Sequence, residues 1–328
     1  MINNINTLGK FLDQPILISK LNKAIPEIMT IGALGYLAFD TFENNKKEQD
    51  KQKVKKEALQ KGIILASTIT SALIAPKIAG KITKRDPIET LNKIKKNNSK
   101  LIDDFISAQK LNVDELKILN KAKEKSLSFN EIKKLIKNFK TDDKKEFLDK
   151  LIPNPENIKA KDIFSEIGYL SIYGAMPVVG GIAGGVASDK ITKEDYKEKM
   201  PNRINEGIYQ YLANIFMCNI GAGISLGILE KMNITSKSAR AIGMTTGIIL
   251  SGVVGGSKIA NFISNKFIQP IISPNKKVQE RKPETMDLCL HTDDIATVSL
   301  LSGLKWIEPA LPILYSVSGY KAGSGYRN

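Results

Sequence analysis

Apolar and charged positions are segregated along this chain, not interleaved evenly. Uncharged stretches run over 28–39, 62–76, 167–188, 207–229 and 241–257. A last apolar region is broken by Lys305 and Glu308 into 295–304 and 309–320. A membrane-spanning helix needs ~20 mostly apolar residues. Segments 167–188 and 207–229 reach that length, and 241–257 comes close. The others fit buried core helices or re-entrant pieces.

The segment 81–166 is different material, with 21 basic and 15 acidic residues. Its helix signals are dense. Asp86-Pro87-Ile88-Glu89 places a cap, a proline at the first helical position and an acid at the third. Ser128-Phe129-Asn130-Glu131 is a capping box, and Ile132, Leu135, Ile136 and Phe139 form a helical stripe behind it. Asn154-Pro155-Glu156 marks another start. With Phe105, Leu116, Leu119, Phe147 and Leu151 there is enough apolar surface for a small core, so the segment reads as a folded helical domain. Residues 46–61 read as a solvated helix extension. A faint repeat relates Ile78-Ala79-Gly80-Lys81-Ile82-Thr83-Lys84 to Ala187-Ser188-Asp189-Lys190-Ile191-Thr192-Lys193, each at the exit of an apolar segment.

Small residues spaced by four dominate the long apolar segments. Gly180 pairs with Gly184, Gly181 with Gly185, Gly223 with Gly227, Gly243 with Gly247 and Gly252 with Gly256. This spacing puts each pair on one helix face and lets two backbones approach closely, which is how helices associate in lipid. Each interior glycine otherwise costs up to ~1 kcal/mol relative to alanine. Gln210, Asn214, Cys218 and Gly221 lie near one stripe of the 207–229 helix, with Asn219 adjacent. Polar side chains are expensive in hydrocarbon, so Gln210, Asn214 and Asn219 are expected to line a solute path or to bond between helices. Tyr209 and Tyr211 fit an interfacial anchor, and Pro177 a kink.

Net charge is +15, which suits anionic lipid surfaces. Aromatic residues are only 6%, and acids sit among the lysines, so a nucleic-acid partner is not expected. Cys218 and Cys289 form no CxxC pair, so no disulfide framework is indicated. Asp287, Cys289, His291 and Asp293 alternate and would share a face of a strand in the manner of zinc ligands. Thr292-Asp293-Asp294 also reads as a helix start, however, and His291 is the sole histidine. No phosphate loop or nucleophile elbow is present.

Gly185-Val186-Ala187-Ser188-Asp189-Lys190, followed by Lys193, resembles the short loop after the second helix of major-facilitator transporters. That resemblance implies a tight cytoplasmic turn. It is confined to these residues, Thr192 replaces the family's usual second glycine, and the chain has fewer apolar segments than that family has spans.

The pattern predicts an all-α, glycine-rich helical bundle, membrane-embedded, with an inserted charged amphipathic helical domain. The expected divisions are 1–80 (an apolar hairpin with a basic linker), 81–162 (the lysine-rich domain) and 163–328 (the glycine-rich region). The leading expectation is a non-enzymatic integral membrane protein without metal or cofactor, its basic domain meeting anionic lipid, a protein partner or a second copy. One alternative is a small-solute transporter or pore lined by helix 207–229. Another is a soluble helical interaction protein with buried apolar helices. The N-terminus carries no signal-peptide pattern, and a bacterial inner membrane is the expected location.

Overall fold

The computed structural model describes residues 2–48, 50–85, 89–152, 159–234, 236–272, 274, 280–290 and 308–326. The described chain is all-α, with no strand among these residues. It divides into two interleaved compact units. One comprises Met1–Ala24, Pro87–Ile158 and Ile295–Pro309; the other comprises Ile25–Asp86, Lys159–Asp294 and Ala310–Asn328. The first two dozen residues therefore group with the lysine-rich segment, and the C-terminal helix groups with the glycine-rich one.

The lysine-rich unit contains α1 (Ile2–Leu12), the start of α2 (Pro15–Lys47), α4 (Leu91–Ala108), α5 (Val113–Glu124), α6 (Phe129–Asn138) and α7 (Asp142–Leu151). Ser128 and Glu131 form the reciprocal capping box that opens α6, and Asn112 with Glu115 forms a second that opens α5. Helix α4 begins at Leu91 after Thr90, later than the Asp86-Pro87 signal suggests. That signal and the Asn154-Pro155 start fall outside the described residues. The core is Ile102, Leu119, Ile132, Leu135, Phe139 and Phe147, with Phe105 stacked on Phe147 at 3.7 Å. Gln14 closes the unit by bonding both backbone groups of Leu127, at 2.6 and 2.9 Å.

The second unit is built on α3 (Lys51–Thr83), α8 (Ala160–Ile191), α9 (Tyr196–Tyr211), α10 (Met217–Lys231), α11 (Lys237–Ile248), α12 (Ser257–Ile263), α13 (Gln269–Ile272), α14 (Thr285–Leu290) and α15 (Leu311–Ser324). A π segment, Leu212–Phe216, joins α9 to α10 without a break. Two more, Ile249–Gly256 and Ser264–Ile268, run α11, α12 and α13 into one rod. Among the described residues, four continuous helices are long and apolar enough to cross a membrane: Lys51–Thr83, Ala160–Ile191, Tyr196–Lys231 and Ala239–Ile272. Large apolar side chains stand exposed along them, among them Val179, Ile228, Ile242, Leu250, Phe262 and Ile271. In water such a surface would be a liability; in lipid it is the expected exterior. The chain is an integral membrane protein.

Helix α8 carries two glycine faces. Gly180 and Gly184 face α3, where an added Cβ would lie 2.5 Å from Ser71 Cβ and 2.7 Å from Ser67 Cβ. Gly181 and Gly185 face α15, where a Cβ on Gly181 would lie 2.6 Å from the Gly319 carbonyl carbon. Gly319 and Gly323 return the contact against Pro177 and Gly181. This second half of the α8–α15 seam went unread in the sequence because charges interrupt the last apolar region. Gly223 and Gly227 lie on α10 against Phe164 and Ala160 of α8. Gly247 of α11 faces Ser225 of α10, and Gly243 faces Leu229. Gly256 meets Ala213 where two π segments pack together, with Gly252 buried one turn earlier. Helix α8 runs unbroken through Pro177.

The repeated Lys-Ile-Thr-Lys exits adopt one geometry. Lys84 and Lys193 both turn left-handed, at φ 56° and 58°. The next residue's N–H then bonds back five positions, Arg85 to Gly80 and Glu194 to Asp189. Asn233 ends α10 the same way. The residues resembling a transporter loop are accordingly helix as far as Ile191.

Overpacking a backbone–backbone seam costs ~1–3 kcal/mol. Gly181→Ala is expected to lower unfolding stability by that amount. Gly35→Ala, which has open space around its Cβ, is expected to leave stability within ~1 kcal/mol of wild type. Denaturation of the two purified variants in detergent checks the contrast.

Candidate functional site

Two groups of charged side chains are sealed inside the glycine-rich unit. The first lies where α8 turns into α9. Asp189 is fully buried, and its carboxylate accepts from the Arg203 guanidinium, itself 2% exposed. Arg203 also donates through Nε to the Gly323 carbonyl at 2.7 Å. Gly185 has no side chain here, and that leaves the room Arg203 occupies. Lys199 stands 3.6 Å from Asp189, and Gln60 of α3 reaches Asp189 and Thr192. Just outside, Glu194 binds Lys199 and Lys56.

The second group is larger. Glu206 on α9 and Asp287 on α14 are both fully buried. Arg281, also buried, lies between them: Nε is 3.4 Å from Glu206 and Nη2 is 3.3 Å from Asp287. Its Nη1 meets Glu284 at 2.9 Å. Lys321 of α15 approaches Asp287 at 3.3 Å. Asn261 holds the Arg281 backbone through both its amide atoms. The Tyr209 ring lies under the guanidinium at 4.9 Å, and its hydroxyl donates to Asp287 at 3.3 Å.

A second route also connects the two carboxylates. Gln210 donates to Glu206 at 2.8 Å and accepts from Asn214 at 2.8 Å. Asn214 also donates to Asp287 at 3.4 Å. Two of the polar residues expected to line a path, Gln210 and Asn214, thus form an amide relay from one buried carboxylate to the other. Asn214 sits in the Leu212–Phe216 π segment, and such segments recur at functional sites. Asn219, the third, lies beyond the relay and donates to the Ile215 carbonyl at 2.6 Å. Asn214 and Asn219 together border a cavity of about 10 Å³, lined also by Cys218, Leu290, Leu314, Tyr315 and Ser318. That is about the room one water takes.

Tyr209 is buried in this group, so it serves the charge cluster and not a membrane interface. Of the alternating run, His291, Asp293 and the Cys289 side chain lie outside the described residues, and Asp287 is engaged by cations. Among the described residues, no group of three or more His, Cys, Asp or Glu is placed to hold a metal. Glu206, Arg203, Arg281 and Lys321 were not singled out in the sequence. Glu206 and Arg203 sit in a polar stretch ahead of the apolar segment, and Arg281 and Lys321 in separate later segments, so only folding shows Glu206, Arg203 and Arg281 to be buried and Lys321 to stand beside them.

No protein-family model matches the chain, and no solved structure matches it significantly. One curated relative is similar: the probable Na(+)/H(+) antiporter 3 of Methanocaldococcus jannaschii, 32% identical over 118 residues. The match covers 34% of this chain and spans only 30% of the antiporter's length.

Removing one member of a buried ion pair leaves the other uncompensated, at ~3–5 kcal/mol. Arg203→Met is expected to destabilise by about that much, and adding Asp189→Asn to restore part of it, as a double-mutant unfolding cycle would show. Glu194 gives a pH effect. The Lys199 ammonium, then Lys56 and Gln60, pull its carboxyl from 4.5 down to about 2. Its contribution is complete above pH 4.5 and lost as pH falls towards 2. Glu194→Gln should flatten the stability–pH curve in that window.

Proposed function

We propose that this protein moves a small cation, or a proton in exchange for one, across the membrane along the Glu206–Gln210–Asn214–Asp287 relay. The observation that carries the reading is a pair of fully buried carboxylates linked by hydrogen-bonding amides, of which Glu206, Gln210 and Asn214 lie on a helix of membrane-spanning length and Asp287 on the short helix α14. Ionisable groups at such positions are costly, and where they occur they mark ion and proton paths. The partial similarity to an Na(+)/H(+) antiporter supports the same class. Arg281 and Lys321 would hold the carboxylates charged in the resting arrangement, and a passing cation would compete with them.

In this reading the glycine seams give the path a rigid wall, and the reaction is transport without covalent chemistry. The lysine-rich unit is proposed to rest on acidic headgroups or on a protein partner, and a bacterial inner membrane is the proposed location. A second reading keeps the chain as a helical scaffold whose buried charges only fix helix register; the compactness of the ion pairs favours it.

The test is reconstitution into liposomes loaded with a pH-sensitive dye. An imposed sodium gradient should drive a change in internal pH, and Glu206→Gln or Asp287→Asn should reduce its rate tenfold or more. A wild-type protein that moves neither protons nor sodium above protein-free liposomes would leave only the scaffold.

A further inference from the structure

Helix α8 has a third face, apart from its two glycine seams, and that face is hollowed. A groove of about 510 Å³ runs along it, lined by Val179, Ile182, Ala183, Val186 and Ala187, with Met200 of α9 across from them and Lys190 at one end. The α8 positions are spaced by three and four, so they form one stripe of the helix. The two alanines make the hollow, since the other apolar residues on the stripe are branched. From Val179 to Lys190 the stripe rises about 16 Å, at ~1.5 Å per residue. One leaflet of hydrocarbon is about 15 Å deep, half of the ~30 Å bilayer core. The uncharged stretch 167–188 has its midpoint beside Val179, so the groove begins at mid-span and ends where the helix leaves the apolar layer. Its end is cationic. Lys190 is exposed, with its ammonium 5.0 Å from the centre of the Tyr196 ring, and makes no ion pair among the described residues. Glu194 is taken by Lys199 and Lys56, Asp195 caps α9 at the Lys197 N–H, and Asp189 is held by Arg203. Lys190, Lys193 and Lys197 are thus set against only Glu198 among the acids of 189–200.

We infer that this groove seats one acyl chain of an anionic phospholipid, with the lipid phosphate at Lys190. An apolar trough closed by a single cation matches an amphiphile, and its length matches one chain. Its direction matches too, with the tail towards the midplane and the head at the helix exit. A lysine near a helix end carries its charge to the interface along an apolar stem. An anionic headgroup gains from each nearby lysine, and a zwitterionic one gains much less. A second copy of this chain would bring the same surplus of lysines to the same place, and like charges oppose that contact. The inference rests on the chain lying in a membrane and is independent of the ion path.

The test is native mass spectrometry of the purified full chain in detergent, titrated with dioleoylphosphatidylglycerol or with dioleoylphosphatidylcholine. One phosphatidylglycerol per chain should be retained at concentrations about fivefold below those needed for phosphatidylcholine. Lys190→Gln should bring the two lipids close to parity. Ala183→Leu combined with Ala187→Leu fills the groove and should abolish the single tight adduct while melting close to wild type. Lys231→Gln, at the exposed end of α10, should change neither result. Equal retention of the two lipids by the wild type would overturn the site, as would a preference unaltered by Lys190→Gln or an adduct that survives the leucine pair. A dimer lost on filling the groove would give the face to a second copy and overturn the lipid. If the leucine pair fails to fold, the comparison of Lys190→Gln with Lys231→Gln decides alone. Neither readout involves ion movement, so liposomes that show no transport would sink the transport reading and leave this site standing.

Discussion

Charge buried away from water must find its counter-charge within the protein, and the glycine-rich unit is organised around that requirement. Arg203 and Arg281 are among its largest fully buried side chains, and each ties together segments far apart in sequence. Arg203 joins the end of α8 to the end of α15 through Asp189 and the Gly323 carbonyl. Arg281 joins α9, α12 and α14 through Glu206, Asn261 and Asp287. A guanidinium suits this work, since its planar donors engage several acceptors at once. These contacts fix register between helices whose apolar faces, in lipid, offer little to choose between one sliding position and another.

Close approach is the complementary condition. An arginine can reach a carbonyl on the next helix only if the two backbones lie near each other, and glycine is what allows that. Gly185 shows the dependence directly, since a side chain there would occupy the space of the Arg203 guanidinium. Gly181, one turn earlier, lets α8 lie against the α15 backbone at Gly319. The small-residue seam and the ion pair are two parts of a single junction.

The sequence and the structure agree where the physics is local. The Ser128 capping box, the stripe after it and the two longest apolar segments follow from short-range spacing, and each appears as read. Pairs of glycines four apart were legible on α8, α10 and α11, but the backbone opposite Gly181 and Gly185 was not. Gly319 and Gly323 occupy a region whose charges hid its helix. Gln210 and Asn214 stood out as polar residues in an apolar run. Glu206 did not, because a lone acid just ahead of an apolar segment looks solvated until tertiary packing covers it. Tyr209 misled for the same reason: an aromatic near a segment boundary looks interfacial, yet the helix begins at Tyr196 and carries it inside. The π segments were invisible as well, since no residue pattern distinguishes a wider turn from an ordinary one.

Those wider turns have a bearing on how the chain tolerates change in length. The Leu212–Phe216 segment holds one residue more than an α-helix of the same span would need. Loss of a single residue there would return the helix to regular winding and leave the flanking turns on the faces they now occupy. Loss of one residue from a regular turn would instead swing everything after it by about 100°, and Gly221 and Gly223 would lose Ser251 and Phe164 as neighbours. Asn214 sits on the wide turn itself, so a deletion there would disturb the relay and spare the glycine seam. The wide turn is thus where this helix can change length without unseating its packing.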